Sequence, residues 1–205
     1  MTTPHASGLR ALANRRRILD VAHAELLRAP DASMNQIARA AGVARRTVYG
    51  HFPSRDTLVA ALIGEAIESV EQAHVVGREG VADPVEALAR SLLAVWQVVD
   101  RYRLLLALAP QSLTMKGIRD RLGVVHEAGT RLIQRALDEG TFTSPLPAQG
   151  LRYVLEGVLF SVMEATNSGH VRPEEAGRAT TVTFLCAAGM PHHRAVELLA
   201  RILDR

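Results

Sequence analysis

The chain has 205 residues, of which 48% are hydrophobic and 22% charged, and its net charge at neutral pH is +3. These values predict a folded protein with a sizeable core and argue against intrinsic disorder. The lone cysteine, Cys186, excludes an intrachain disulfide and a CxxC metal site. Because no apolar run reaches about 18 residues and no secretory leader is visible, we expect a cytoplasmic protein without a membrane span.

The basic residues are concentrated in the first quarter of the chain. Residues 1–55 contain nine Arg against three acidic residues, whereas residues 56–205 carry a charge balance of −3. This asymmetry predicts an anionic partner for the N-terminal end, and a solvated basic face is the alternative. Of the 24 basic residues, 23 are Arg, a side chain that suits bidentate contacts to phosphate and guanine.

Helical periodicity dominates the sequence and no strand alternation is visible, so we predict an all-α fold. Residues 1–8 are expected to form a disordered tail. The segments 77–80 and 141–147, which contain Gly or Pro, are expected to be loops. In chain order, the predicted helices cover about residues 9–28, 33–41, 44–50, 54–74, 84–103, 115–139, 148–167, 174–189 and 191–203.

Capping residues mark where several of these helices begin or end. Ser33 and Gln36 have the S-x-x-Q spacing of a capping box, in which the hydroxyl and the amide satisfy exposed backbone N–H groups. Gly42 is expected to end that helix in a left-handed conformation. Ser54 and Asp83 are expected to cap two longer helices.

Residues 33–58 predict a helix-turn-helix. Two short helices are joined by a tight turn at Ala41-Gly42-Val43, and the small side chains of Ala38 and Ala41 allow the helices to cross closely. Seven helical residues at about 1.5 Å each make the second helix roughly 10 Å long, which suits a major groove about 12 Å wide. The pattern therefore indicates an element that reads DNA.

The same segment resembles the DNA-binding half of the tetracycline-repressor-like (TetR) family of bacterial transcriptional regulators. The resemblance implies a three-helix helix-turn-helix domain over residues 9–55 and a C-terminal helical domain for ligand binding and dimerisation over residues 56–205. The residues that carry it are Ile18, Leu19, Ala22, Leu26, Ser33, Ile37, Ala38, Ala41, Gly42, Val43, Ala44, Thr47, Tyr49, His51, Phe52, Ser54, Arg55 and Leu58.

Four positions depart from the family pattern. Ala44 replaces the usual Ser, so the second short helix is expected to lack a side-chain cap. Arg46 replaces a small residue and adds a long hydrogen-bond donor. Arg55 replaces Lys and keeps its charge, and Pro30 stands where Gly is common. We expect the Arg45-Arg46 pair to change which bases are read.

The second short helix supplies the candidate base contacts. Arg45 and Arg46 are expected to donate to guanine O6 and N7, each good bidentate contact giving about 1–3 kcal/mol of discrimination. Thr47 is expected to meet a thymine methyl group or a phosphate. Gly50, having no side chain, is expected to let the backbone approach the duplex closely.

The candidate phosphate contacts are Ser33, Tyr49, His51 and Arg55. The resemblance implies this role for Tyr49 and His51, while Arg55 and Ser33 stand at helix N-termini, where N–H groups and the dipole favour an anion. The alternatives are structural, with Tyr49 packed against Ile37 and His51 acting as a cap.

Three consecutive arginines, Arg15, Arg16 and Arg17, lie in the first predicted helix. They span more than half of its circumference, because successive residues are about 100° apart. At most one or two of them are therefore expected to face DNA.

Two C-terminal helices are the candidate dimer interface. The helix at 148–167 is apolar nearly all round, which predicts burial on more than one side. The helix at 174–189 is rich in small residues that allow close approach. A four-helix bundle between two subunits is also what the resemblance implies, and the alternative is that both helices are monomer core. Cys186 is expected to be a small buried side chain.

The resemblance further implies a small-molecule pocket in the helices between these two regions. A mostly apolar pocket with a few polar groups is typical of a ligand site, and a core position is the alternative for each large side chain. The candidate effector-binding residues are Trp96, Tyr102, Met115, His126, Tyr153, Phe160, Met163 and Glu164.

No enzyme signature is visible: GxSxG, HExxH, Walker and GxGxxG motifs are absent from the sequence. We therefore predict no catalytic residues, no cofactor and no metal site. The predicted function is that of a nucleoid-associated, homodimeric repressor that a small-molecule effector releases from a palindromic operator in double-stranded DNA. The alternatives are an all-helical small-molecule carrier or scaffold and, ranked lower, a membrane-surface role for the Arg-rich first helix.

Overall fold

The computed structural model describes the backbone of residues 4–106, 108 and 115–204, and the side chains of these residues except 4–7, 115 and 116. Within that part of the chain every regular element is an α-helix, which confirms the predicted fold class. The ten helices are α1 Pro4–Arg28, α2 Met34–Ala40, α3 Arg45–His51, α4 Arg55–Arg78, α5 Pro84–Leu106, α6 Met115–Arg121, α7 Gly123–Asp138, α8 Ala148–Asn167, α9 Pro173–Ala187 and α10 His192–Leu203.

Contacts within the chain divide it into two compact units. The first contains the chain up to Glu65 together with the segment that starts at Leu104. The second contains Ala66–Arg103 and the chain from Met115 onward. The domain boundary after residue 55 stays a prediction.

The first unit is built on the predicted helix-turn-helix. One stripe of α1 is fully buried and packs on α2 and α3 through Ile18, Leu19 and Ala22. Ile37 of α2 and Val48 of α3 are buried on the facing surfaces. Since these apolar positions recur every three or four residues, each helix has one face in the core and the other available to solvent.

The predicted capping residues act as expected. The backbone N–H of Gln36 donates to Ser33 Oγ at 3.3 Å, and the Gln36 side chain accepts from the Ser33 backbone N–H at 2.8 Å, which completes the capping box. Gly42 has a φ of 64°, a left-handed conformation that favours glycine. Asp83 accepts from the Glu86 N–H at 2.6 Å.

The second unit has a continuous apolar core. The core is formed by buried side chains of α5, α7, α8, α9 and α10, including Leu88, Ile133, Leu151, Phe184 and Leu199. Within this part of the chain α8 packs on both α7 and α9. Helix α8 starts and ends where the sequence predicts.

Three predicted element boundaries are wrong. Helix α4 continues to Arg78, beyond the expected end at residue 74 and into the loop expected at 77–80. Helix α1 begins at Pro4, so most of the expected tail at residues 1–8 is helical; residues 1–3 lie outside the described chain. The helix expected over 115–139 is two helices, because Leu122 leaves the helical conformation with a ψ of 15° and is followed by Gly123, a weak helix former.

None of the helices in the described residues is long and apolar enough to traverse a lipid bilayer.

Candidate functional site

Helix α3 turns its basic residues toward solvent. Val48 is fully buried and fixes the orientation of this seven-residue helix on the first unit. As a consequence Arg45, Arg46 and Gly50 are exposed, and Thr47 is half-buried at the edge. The candidate base contacts therefore lie on or beside one open surface of a helix short enough to fit the major groove.

Tyr49 is 37% exposed and belongs to the same surface. The guanidinium of Arg45 lies 5.1 Å from the centre of the Tyr49 ring, one helical turn away. A cation at that distance from the ring face is attracted by its quadrupole. The ring thus restricts where the Arg45 guanidinium points.

The start of α3 has no side-chain cap, as the sequence predicts. Ala44 occupies the N-cap position and makes no side-chain hydrogen bond there. Ser33, by contrast, caps α2 and also donates its own hydroxyl to the Gln36 side chain at 2.7 Å. Ser33 is exposed, and its role as a phosphate contact remains a prediction.

The two remaining candidate phosphate residues sit near the end of α3 and the start of α4. The His51 side chain is half-buried, with its ring 6.3 Å from that of Phe52. Arg55 is half-buried, and its guanidinium donates a hydrogen bond to the carbonyl oxygen of Pro30. Two of the departures from the family pattern, at positions 30 and 55, therefore contact each other.

The structure distributes the candidate effector residues over very different environments. Trp96 is 2% exposed and Tyr102 is 9% exposed. Phe160 and Met163 are half-buried, whereas Glu164 is exposed. The Met115 side chain lies outside the described residues. The candidate effector residues therefore differ too much in burial to line one ligand pocket in the same way in this structure.

Two of the candidates, His126 and Tyr153, belong to one charged cluster. Arg119 Nε donates to Glu156 Oε1 at 2.7 Å, and Arg152 Nη1 lies 3.4 Å from Glu156 Oε2. The Arg152 guanidinium is 3.9 Å from the Tyr153 ring centre. Burial, then the charge of Arg152, lowers the pKa of His126.

Sequence reasoning did not select the three charged members of this cluster. Arg119 and Glu156 are 37 positions apart and lie on different helices, so no local spacing connects them. Only Arg152 and Glu156 carry a sequence signal, since they are four residues apart on α8.

Several buried polar atoms in the second unit have no hydrogen-bond partner among the described residues. They include Trp96 Nε1, His74 Nε2 and Thr180 Oγ1. Burial, then the neighbouring Arg78 charge, lowers the pKa of His74 to about 4, so its imidazole is neutral at pH 7. Within the described chain no three His, Cys, Asp or Glu side chains gather in a way that suits a metal ion.

Comparison with known sequences agrees with the helix-turn-helix geometry. Residues 18–62 match the profile of the family described as bacterial regulatory proteins, tetR family. The chain is 33% identical over 93 residues to the HTH-type transcriptional repressor LfrR of Mycolicibacterium smegmatis. That match spans 45% of this chain and about half, 49%, of LfrR.

Solved structures share the whole fold. The TetR-like regulator LfrR from Mycobacterium smegmatis, in complex with proflavine, has a TM-score of 0.65 at 25% identity, covering 85% of this chain and 95% of LfrR. RolR in complex with resorcinol has a TM-score of 0.62 at 18% identity, covering 95% and 96% of the two chains. The helix-turn-helix segment, residues 18–62, thus matches the tetR family of bacterial regulatory proteins, and the chain has the fold of a solved TetR-like regulator.

Proposed function

We propose that the protein is a transcriptional repressor that binds a palindromic operator as a homodimer and leaves it when a small-molecule effector binds. The observation that carries the proposal is the open surface of α3, on which Arg45 and Arg46 are exposed beside Tyr49 while Val48 anchors the helix. Arginines on an exposed recognition helix are suited to bidentate contacts with guanine in the major groove.

The proposed homodimer is supported by α8. Most of its apolar side chains, among them Val154, Leu155, Val158 and Leu159, are only half-buried in the single chain, and its fully buried residues are Ala148, Leu151 and Thr166. Covering these apolar side chains with a second copy of the chain removes them from water and stabilises the dimer. Helix α9 adds the exposed small residues Thr183 and Ala187.

Effector release is supported by the second unit and by likeness to the two ligand-bound regulators. LfrR is a repressor whose structure contains proflavine, and RolR was solved with resorcinol. In this chain the Trp96 and His74 side chains keep buried polar atoms without partners, and unpaired buried polar groups are destabilising unless a partner satisfies them. An effector that supplies hydrogen-bond partners therefore favours whichever conformation admits it.

The test is selection of duplexes from a random pool by the full-length protein, followed by footprinting on the selected sequence. We expect a palindrome whose half-sites are about one helical turn, or a multiple of it, apart. Sedimentation of the free protein should give the mass of two chains. A single-chain mass at every concentration contradicts the homodimer, and failure to enrich any sequence favours a carrier or scaffold.

The effector is tested on the selected duplex. Proflavine and resorcinol are added separately to the complex, and a compound that binds the protein is expected to lower its affinity for the selected duplex. A compound that binds without changing duplex affinity contradicts effector release, because a ligand shifts an equilibrium only through its different affinities for the two states.

A further inference from the structure

The structure separates the three consecutive arginines of α1. Arg16 is held by acidic side chains: its Nε lies 3.4 Å from Asp20 Oδ1, and its Nη1 lies 3.7 Å from Glu65 Oε1. A guanidinium with two carboxylate neighbours has its charge largely compensated. Arg16 is therefore the member of the three least able to attract a further anion.

Arg15 and Arg17 have a different environment. Both are exposed, and neither makes an ion pair with any residue in the described part of the chain. Arg15 lies over the ring of Phe52, 5.4 Å from its centre. Arg17 reaches the turn before α3, with its Nη2 3.3 Å from the point where a Cβ on Gly42 would stand.

These contacts place a cation beyond each end of α3. Gly42 lies in the turn before the helix and Phe52 is its C-cap residue. A helix of about seven residues is roughly 10 Å long and the major groove is about 12 Å wide. Consequently, the groups just beyond both ends of a helix seated in that groove are close to the sugar-phosphate strands.

We propose that Arg15 and Arg17, but not Arg16, form a phosphate-binding pair that clamps the duplex backbone on either side of the recognition helix. The pair rests on the proposed function, because it requires α3 to enter the groove. Its ligand is the DNA phosphate itself, so its contribution is independent of base sequence.

The experiment measures duplex affinity against salt concentration for full-length wild type, Arg15→Ala/Arg17→Ala and the matched control Arg16→Ala. The probes are a mixed-sequence duplex and the duplex selected from the random pool. On both probes the double variant should reduce the magnitude of the slope of log K against log salt by about 1.8 for each bound subunit, and so by about 3.6 for the homodimer, at roughly 0.9 per phosphate contact. Arg16→Ala should keep the wild-type slope.

The conservative variant Arg15→Lys/Arg17→Lys separates charge from packing, because Lys keeps the charge but not the planar guanidinium. It should retain the wild-type slope. Thermal melts of every variant show whether the fold survives. A lowered melting temperature with an unchanged slope assigns Arg15 and Arg17 a packing role and overturns the inference.

The failure of the inference is distinguishable from that of the proposed function. If the wild type binds a duplex in a salt-dependent way and the double variant keeps its slope, the phosphate pair alone is overturned. An equal loss of slope in Arg16→Ala also overturns it. If the wild type binds neither probe, the proposed function fails, and the inference fails with it.

Discussion

The helix-turn-helix segment and the helices from Pro84 onward use their large side chains in opposite ways. In α3 the long side chains Arg45 and Arg46 project into solvent and the small hydrophobic Val48 is buried. In α5 the largest side chain, Trp96, is buried and packs against Gly177 of α9. A large residue marks a binding surface in the first region and a packing site in the second.

The contrast between exposed Arg in α3 and buried Trp in α5 shows which type of side chain indicates a binding function in a helical protein. Arginine is rarely fully buried without a partner, so an exposed pair on a short helix points to a ligand. Tryptophan buries a large apolar area and is most often packing. Substitutions in α3 should therefore change DNA binding with little effect on folding, and substitutions in the second region should do the reverse.

The largest effect is expected for Arg45→Ala/Arg46→Ala. Loss of two bidentate contacts at about 1–3 kcal/mol each should reduce the preference for operator over mixed-sequence duplex by about 2–6 kcal/mol for each half-site, and both half-sites of the homodimer are affected. Competition binding measures this preference. The melting temperature should change little, since only the exposed contact between Arg45 and Tyr49 is lost. The control Arg28→Ala removes one exposed charge that is already paired with Glu25, and it should retain operator preference.

The next effect is the acid sensitivity of the second unit through His74 of α4. Its pKa is lowered from 6.5 to about 4 by burial and then by Arg78, so the unfolded chain takes up a proton before the folded one as the pH falls. Stability is therefore fully present above about pH 6.5 and is lost progressively toward pH 4, by about 3 kcal/mol. Urea unfolding across this range measures it.

His74→Gln should flatten this part of the pH dependence. The control His193→Gln, at an exposed position in α10, should leave it as in the wild type. If both variants follow the wild-type curve, the acid sensitivity resides in other groups.

A smaller loss of stability is expected for Gly77→Ala. A Cβ there would lie 2.8 Å from Ser91 Cα and 2.9 Å from the Arg90 carbonyl oxygen, both backbone atoms of α5 that no side-chain rotation can move away. Moving α4 and α5 apart to make room for the Cβ typically lowers the free energy of unfolding by about 1–3 kcal/mol. The free energy of unfolding measures this cost.

The matched control is Gly129→Ala in α7. This glycine is also helical, and it is buried whereas Gly77 is half-buried, but a Cβ there meets nothing within 4 Å. Gly129→Ala should raise the free energy of unfolding by up to about 1 kcal/mol, because Ala has the higher helix propensity. Equal destabilisation by the two substitutions would show that the close crossing at Gly77 is unimportant.

The smallest effect is expected for Ser33→Ala, which removes the capping box at the start of α2. Loss of an N-cap costs about 1 kcal/mol, and this should appear as a lower melting temperature. Ser33→Asp retains an acceptor and should recover most of the loss. Should Ser33→Ala keep the wild-type melting temperature yet weaken duplex binding, Ser33 acts on phosphate and the cap is dispensable.

Local signals allowed the first region to be predicted in detail. The capping box at Ser33, the left-handed Gly42 and the uncapped Ala44 all follow from side-chain chemistry within three or four residues, and the structure confirms each. The proximity of Arg45 to Tyr49 also has helical spacing, although the sequence analysis named only Ile37 as a neighbour of Tyr49, as the alternative to a phosphate contact.

The remaining features depend on contacts between residues far apart in the chain. The ion pair of Arg119 with Glu156 and the close approach of Gly77 to Ser91 require knowing how helices cross. The break at Leu122 interrupts a hydrophobic stripe that by itself predicts one continuous helix. Periodicity reports which face of a helix is apolar but not which neighbour covers it.

The hydrogen bond from Arg55 to the Pro30 carbonyl oxygen ties the first residue of α4 to the loop that leads into α2. The bond joins residues 25 positions apart in the chain, on either side of α2 and α3. A displacement of the start of α4 is therefore expected to move the loop at Pro30 through this hydrogen bond as well as through the backbone. Because α1, α2 and α3 also contact one another, we expect a displacement of the start of α4 to move these three helices together.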